Sequence, residues 1–141
     1  MEIKFSVPGE PRGKGRPRMN RYTGIVYTPK ETEEYEKQVR AAFFAATRGT
    51  PGFEKSPVCV DITAYYSIPM NLTRARRAAM LSGDEKPLKK PDTDNVLKII
   101  CDALNKFAYN DDAQVVHATV KKRWAENARV EVRLYDEREV G

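Results

Sequence analysis

The segment from Val58 to Ile68 constrains the fold most, because apolar residues recur at every second position along it. This alternation is typical of a β-strand that buries one of its two faces. Pro57 and Pro69 bound the segment, and proline is rarely accommodated inside a sheet ladder. The chain is therefore expected to build a sheet around this strand and to cover one side of it.

Shorter alternating segments predict further strands. A first strand carries Ile3, Phe5 and Val7 and ends at Pro8-Gly9, and residues 22–27 predict a turn and a short strand. Residues 10–21, rich in Pro, Gly and Arg, predict an irregular loop. Two strands are expected near the carboxyl end, with these inward residues: Val116, Ala118 and Val120 in 114–121, then Val130, Val132 and Leu134 in 129–135.

Helical spacing of apolar residues predicts three helices. The first has Thr28 as its N-cap, Pro29 as its first residue and Glu31 completing a capping box, and it runs to Gly49. Its buried face is expected to carry Tyr35, Val39, Ala42, Phe43 and Ala46. A short basic helix from Thr73 to Leu81 is expected to close at Gly83.

The third helix runs from about Asp94 to Phe107 and has two distinct faces. Val96, Ile99, Ile100, Ala103, Leu104 and Phe107 form the apolar one. Asp94, Lys98, Asp102 and Asn105 lie opposite. The order of elements predicts an α+β (mixed α/β) fold, with helices packed on a mixed β-sheet, and residues 1–141 as a single small domain.

The length of 141 residues fits one domain, and a composition of 40% hydrophobic and 32% charged residues is typical of a globular protein. No apolar run is long enough to cross a membrane and the amino terminus lacks a signal-peptide core, so a cytoplasmic protein is expected. Cys59 and Cys101 are expected to be free thiols.

Five carboxylates fall between residues 92 and 112: Asp92, Asp94, Asp102, Asp111 and Asp112. Carboxylates held close together repel one another, and a divalent cation offsets that repulsion. Oxygen ligands favour Mg²⁺, Mn²⁺ or Ca²⁺ over Zn²⁺. Ordinary structural roles compete with this hypothesis: Asp92 or Asp94 as a helix cap, Asp111-Asp112 as a turn, and Lys98 in an ion pair with Asp94 or Asp102.

Basic segments flank this acidic region, an arrangement that suits a phosphodiester polyanion. The expected DNA-binding residues are Arg12, Lys14, Arg16, Arg18, Arg21, Arg74, Arg76, Arg77, Lys89 and Lys90. A P-loop between Gly9 and Gly15 is rejected, because Gly15 stands where the motif needs Ser or Thr. His117 is expected to be a surface or packing residue and not a general base.

The sequence Pro91-Asp-Thr-Asp-Asn-Val-Leu-Lys98, followed by Asp102-Ala-Leu104 and Asp111-Asp-Ala-Gln114, resembles the signature of RusA-type Holliday junction resolvases. The segment from Gly13 to Lys30 resembles that family's opening. The resemblance implies a homodimer that uses Mg²⁺ or Mn²⁺ to cut two opposed strands of four-way DNA junctions by hydrolysis, in recombination and repair and often in prophages.

Carried over residue by residue, the resemblance implies that Asp92, Asp94 and Asp112 are catalytic metal ligands, with Asp111 as an alternative ligand. Lys98 matches the catalytic lysine, and Asp102 is expected to support it. Two other functions stay open: a non-catalytic DNA-binding phage or prophage accessory protein, and a metal-dependent nuclease of other branched nucleic acids.

Overall fold

The computed structural model describes residues 1–48 and 52–136. In chain order its elements are β1 (Glu2–Pro8), β2 (Arg18–Met19), β3 (Val26–Tyr27), α1 (Lys30–Thr47), β4 (Val58–Ser67), α2 (Arg74–Ser82), α3 (Thr93–Leu104), a 3-10 turn (Asp112–Gln114), β5 (Val115–Ala125) and β6 (Arg129–Asp136).

A mixed sheet organises the described part of the chain, with its four strands in the order β1-β6-β4-β5. β6 is antiparallel to both β1 and β4, whereas β5 runs parallel to β4. Helices α1 and α3 pack on the sheet and on each other. The prediction of a single small α+β domain with a mixed sheet is confirmed.

The core contains the residues that the alternation predicted. Ile3, Phe5 and Val7 in β1, the even-numbered residues from Val58 to Tyr66 in β4, and Val130, Val132 and Leu134 in β6 are all buried. Helix α3 adds Val96, Ile99, Ile100, Ala103 and Leu104. Neither Cys59 nor Cys101 forms a disulfide, as expected.

The predicted start of α1 is wrong by one residue. Pro29 has φ −54° and ψ 143°, so it is the extended residue before the helix, and Lys30 is the first helical residue. The Thr28 capping box does not form, because Pro29 occupies the N-cap position and makes no side-chain cap hydrogen bond. Tyr35, Val39 and Phe43 are buried as predicted, but Ala46 is exposed. The helix ends at Thr47, and Gly49 lies outside the described residues.

The predicted inward face of β5 is only partly correct. Val120 packs against the core, but Val116 and Ala118 are exposed. The strand lies at the edge of the sheet, and the pairing of β4 with β5 shifts register between Val58 and Cys59. The shift leaves Val116 without a partner in β4, and Ala118 is exposed on the edge strand although it pairs with the buried Val60, so alternation alone misplaces this end of the strand. β5 also continues to Ala125, beyond the predicted end.

The other two helices follow their predicted end signals. The Thr73 side chain accepts a hydrogen bond from the Arg76 amide at the start of α2, and Gly83 ends α2 with φ 90°, a conformation suited to glycine. Helix α3 ends earlier than predicted, at Leu104, which leaves Phe107 beyond the helix and 47% exposed.

The loop predicted over residues 10–21 contains one regular element. β2 pairs with β3 to form a separate two-stranded hairpin. Among the described residues, no helix has the length and apolar composition needed to cross a membrane.

Candidate nucleic-acid interface and acidic site

Helix α3 fixes the first two candidate acids. Its apolar residues are buried, so the core sets the rotation of the helix, and Asp94 and Lys98 face solvent one turn apart. Asp92 occupies the N-cap position but makes no side-chain cap hydrogen bond. The capping alternative for Asp92 is therefore wrong, and its carboxylate is available to other partners.

Lysines surround Asp92. Lys90 Nζ donates to Asp92 Oδ2 at 2.8 Å, and this hydrogen bond, with the charges of Lys90 and Lys122, lowers the pKa of Asp92 below its ordinary value. Lys122 Nζ also donates to the Lys89 carbonyl oxygen at 2.6 Å. The lowered pKa favours the ionised carboxylate of Asp92. The ionised form is the one that can bind a cation, which could in turn bind a phosphate.

A buried tyrosine of β4 binds the backbone segment that precedes Asp92. The Tyr66 hydroxyl donates to the Pro91 carbonyl oxygen at 2.8 Å, and Tyr66 is 1% exposed. The Lys90–Pro91 peptide bond is cis. A cleft of about 300 Å³ opens beside this segment, lined by Pro11, Arg12, Gly13, Glu31, Thr32, Lys90, Pro91 and Ile99.

The second group of acids lies where the chain returns from α3 to β5. Asp111 Oδ1 accepts a hydrogen bond from the Ala113 amide at 3.0 Å, which caps the 3-10 turn. Gln114 Oε1 accepts from the amides of Asn110 and Asp111, and Gln114 Nε2 donates to the carbonyls of Glu54 and Ser56. The glutamine of the motif therefore anchors this turn to the segment before β4.

Asp111 and Asp112 differ in their electrostatics. The Ala113 amide and a hydrogen bond with Asp112 lower the pKa of Asp111. The same shared hydrogen bond, with a slight loss of hydration and the nearby charges of Asp111 and Asp102, raises the pKa of the exposed Asp112. Asp111 is already used as a cap, so Asp112 is the acid that gains more from a neighbouring cation.

The two acidic groups remain separate. Among residues 1–48 and 52–136, no three Asp, Glu, His or Cys side chains are grouped closely enough to hold a metal ion. The described structure therefore does not bring the predicted ligands Asp92, Asp94 and Asp112 into one group.

Lys14 lies in an unexpected environment. Its Nζ is 3.2 Å from Glu36 Oε2 and 3.2 Å from Asp102 Oδ2, and only 19% of its side chain is exposed. The Lys14 amide also donates to the Asn95 carbonyl oxygen at 3.2 Å. Lys14 thus joins the loop to α1 and α3. Asp102 pairs with Lys14, so the expectation that Asp102 supports Lys98 is wrong.

The other candidate DNA-binding residues fall into two classes. Arg76 pairs with Glu85, Arg77 with Glu126, and Lys90 with Asp92. Within the described ranges, Lys98 and the remaining candidates are exposed and make no ion pair: Arg12, Arg16, Arg18, Arg21, Arg74 and Lys89. His117 is exposed, in keeping with a surface residue.

Sequence reasoning missed Lys122 and Glu36. Lys122 follows the inward-facing Val120 in the alternation of β5 and precedes the partly buried Trp124, so a lysine stands where an apolar residue is expected. Glu36 is 9% exposed and follows Tyr35 on the buried side of α1. In both cases a charged residue at a position expected to face the core could have indicated a buried ionic contact in the sequence.

Comparison with known proteins identifies the family of the chain. The family model described as Endodeoxyribonuclease RusA matches residues 8–135. A Bacillus subtilis (strain 168) protein, described as "Uncharacterized protein YqaN", is 35% identical over 136 residues, which cover 94% of each chain. The match extends from the end of β1 to β6 and includes both acidic groups. The chain belongs to the RusA family of junction-resolving endodeoxyribonucleases.

Proposed function

We propose that this protein is a divalent-metal-dependent endonuclease that resolves four-way DNA junctions by paired hydrolytic cuts in opposed strands, in recombination and repair. Residues 1–141 would act as one endonuclease domain. The observation that carries the proposal is the core-fixed face of α3, which presents Asp94 and Lys98 to solvent next to an ionised Asp92, in a chain that matches the RusA family.

The donor type suits Mg²⁺ or Mn²⁺, because carboxylate oxygens are the ligands that hard cations prefer. Among the described residues these carboxylates are not grouped closely enough to hold an ion. Binding of one ion by Asp92, Asp94 and Asp112 would therefore require the turn that carries Asp112 to approach the start of α3. The raised pKa of Asp112 supports its selection over Asp111, because a cation would relieve the repulsion that raises it. When bound, the ion would activate a water molecule and offset charge on the phosphate.

The protein's own side chains would supply the remaining chemistry. Lys98 is exposed and, among described residues, has no ion-pair partner, so its ammonium is available to the scissile phosphate or to the departing oxygen. Lys90 and Lys122 keep Asp92 ionised. The exposed cations Arg12, Arg16, Arg18, Arg21, Arg74 and Lys89 would replace counterions along the DNA backbone.

A comparison of substrates tests this function. The purified protein should cleave a synthetic four-way junction in Mg²⁺ and not in EDTA, and should cleave linear duplex, flap and RNA substrates much more slowly. Faster cleavage of flaps or RNA would assign the site to another branched nucleic acid. Junction binding with no cleavage in Mg²⁺ or Mn²⁺ would favour a non-catalytic DNA-binding protein.

The proposed paired cuts require two active sites, so we propose that the protein acts as a homodimer. Light scattering at assay concentration should give a mass of twice 16.1 kDa, both free and bound to a junction after subtraction of the DNA. A monomer mass in both states would contradict the dimer but would leave cleavage of single strands possible.

A further inference from the structure

The hairpin formed by β2 and β3 exposes apolar side chains that the fold does not cover. We call residues 16–28 the arm. It carries five of the twelve large apolar side chains that are exposed in the described part of the chain: Met19, Tyr22, Ile25, Val26 and Tyr27. Tyr22, at the tip, is 97% exposed. β2 and β3 pair with each other and with no other described strand, and a lone two-stranded hairpin gains little stability by itself.

The tip of the arm is nevertheless an ordered turn. Asn20 Oδ1 accepts hydrogen bonds from the amides of Tyr22 and Thr23, at 2.8 and 3.1 Å. The Asn20 amide donates to the Ile25 carbonyl, and the Gly24 amide donates to the Asn20 carbonyl, both at 2.9 Å. Gly24 has φ 72°, which glycine adopts without steric cost. The Tyr22 ring is therefore presented on a preformed support, which lowers the ordering cost of binding.

The charge of the arm indicates which partner covers it. Arg16, Arg18 and Arg21 are exposed, make no ion pair with any described acidic residue, and alternate with the apolar side chains. No acidic residue occurs between Pro11 and Lys30. An apolar protein surface would desolvate these guanidinium groups without compensation. Single-stranded or unstacked nucleic acid offers phosphates to the arginines and base faces to the aromatic ring.

The arm leaves the body beside the candidate catalytic helix. Gly13 packs so closely on Pro91 and Asn95 that an added Cβ would lie 2.9 and 3.0 Å from their Cβ atoms. The Gly15 amide donates to Thr32 Oγ1 at 3.3 Å, and Pro29 is buried where the chain re-enters the fold. Gly13, Thr32 and Pro91 line one cleft, so both ends of the arm are anchored beside the segment that carries Asp92. A base held by the tip would therefore belong to the same DNA site.

We infer that the arm enters the branch point of the DNA and that Tyr22 stacks on a base exposed there. This inference rests on the proposed function, since an open junction is the structure that presents uncovered base faces at its centre. The arginines fix the arm on the flanking phosphates, whereas the Tyr22 ring distinguishes a branch from a continuous duplex, in which every base is already stacked.

Tyr22→Ala, Tyr22→Phe and the matched control Met70→Ala test the inference. Met70 is 86% exposed and lies outside the arm. Binding is measured in EDTA, where no cleavage occurs, to a four-way junction with 2-aminopurine at the branch point and to a linear duplex of the same sequence. Thermal unfolding of each variant checks that the fold is intact, and light scattering gives the oligomeric state.

Tyr22→Ala should weaken junction binding by roughly 5- to 150-fold, the range for one base–aromatic stack, and should remove the change in 2-aminopurine fluorescence. Duplex binding should stay the same, and Tyr22→Phe and Met70→Ala should behave as the wild type. Equal weakening on junction and duplex, an unchanged fluorescence response, or loss of self-association would each overturn the inference. If the wild type itself binds junction and duplex equally well, the proposed function is wrong, and the inference about the arm is wrong with it.

Discussion

Lys14 lies among the basic residues expected to bind DNA, yet its ammonium already contacts two carboxylates. Glu36 and Asp102 belong to different helices, and both are mostly buried beside it. Paired charges of this kind are costly to separate, because each would be left in a poorly hydrated position. The structure therefore favours Lys14 as a residue that docks the loop onto α1 and α3, and leaves phosphate contacts to its exposed neighbours.

Lys14→Met should accordingly destabilise the fold by about 1–3 kcal/mol, between the values for exposed and fully buried pairs. Lys4→Ala is the matched control, since Lys4 pairs with Glu2 at the surface and should cost less than about 0.5 kcal/mol. Urea unfolding measures both. Full stability in Lys14→Met, together with weaker and less salt-dependent DNA binding, would show that Lys14 contacts phosphate instead.

Tyr66 links the core to the segment that carries Asp92. Burial and the charges of Asp92 and Glu10 raise the pKa of Tyr66 from its ordinary value of 10.0 to about 12. Because the folded-state pKa exceeds the unfolded one, the stabilisation from this hydroxyl is complete below pH 10 and is lost as the pH rises through about 12.

Tyr66→Phe should therefore reduce the free energy of unfolding by about 1 kcal/mol near neutral pH, since the Pro91 carbonyl loses its donor. The difference between wild type and variant should shrink as the pH passes from 10 to about 12. Urea unfolding across this range tests the sign. A difference that grows with pH would contradict the assigned shift.

At the scale of elements, local patterns predicted the parts of the fold that bury a continuous face. β1, β4 and β6 each bury alternate residues along their length, and α3 buries one helical face. The two ends of α2 were also predicted from the sequence, because the start depends on the Thr73 side chain and the end depends on the φ angle of Gly83. These features depend on neighbours in sequence.

The errors occurred where long-range contacts decide. The turn and short strand predicted over residues 22–27 are present, but β2 was missed, because Arg18–Met19 is too short for alternation to identify and is defined only by its pairing with β3. The exposed Val116 and Ala118 depend on the position of β5 at the sheet edge and on its register with β4. The start of α1 depended on ψ at Pro29, which proline leaves free although it fixes φ.

The arm and α2 are both basic but should affect DNA binding differently. Arg16→Ala and Arg18→Ala should each lower the slope of log affinity against log salt by about one, because each exposed guanidinium can neutralise one phosphate. Arg77→Ala is the matched control on α2: Arg77 already pairs with Glu126 at 2.9 Å, so the slope should not change. Titrations at several salt concentrations would contradict this assignment if only the α2 variant changed the slope.

At the scale of the whole molecule, the sequence motif predicted the candidate metal ligands but not their positions relative to one another in the fold. Asp92 and Asp94 lie at the start of α3, whereas Asp111 and Asp112 follow a return segment whose path depends on tertiary contacts. The Tyr109 hydroxyl donates to the Cys101 carbonyl at 2.7 Å, and the Phe53 amide donates to the Ala108 carbonyl at 2.7 Å. No local pattern encodes those contacts, so the separation of the two acidic groups was not predictable.

Cleavage by Asp94→Asn tests the central claim most directly. Asp94 is exposed, so its replacement should leave the fold intact, and Asp84→Asn is a matched exposed control on the loop after α2. On a four-way junction in Mg²⁺, the wild type and Asp84→Asn should cut two opposed strands, whereas Asp94→Asn should not cut. Asp94→Asn should bind the junction as tightly as the wild type or more tightly, because a negative charge near the phosphate is removed. Cleavage by Asp94→Asn at the wild-type rate would contradict the proposed active site.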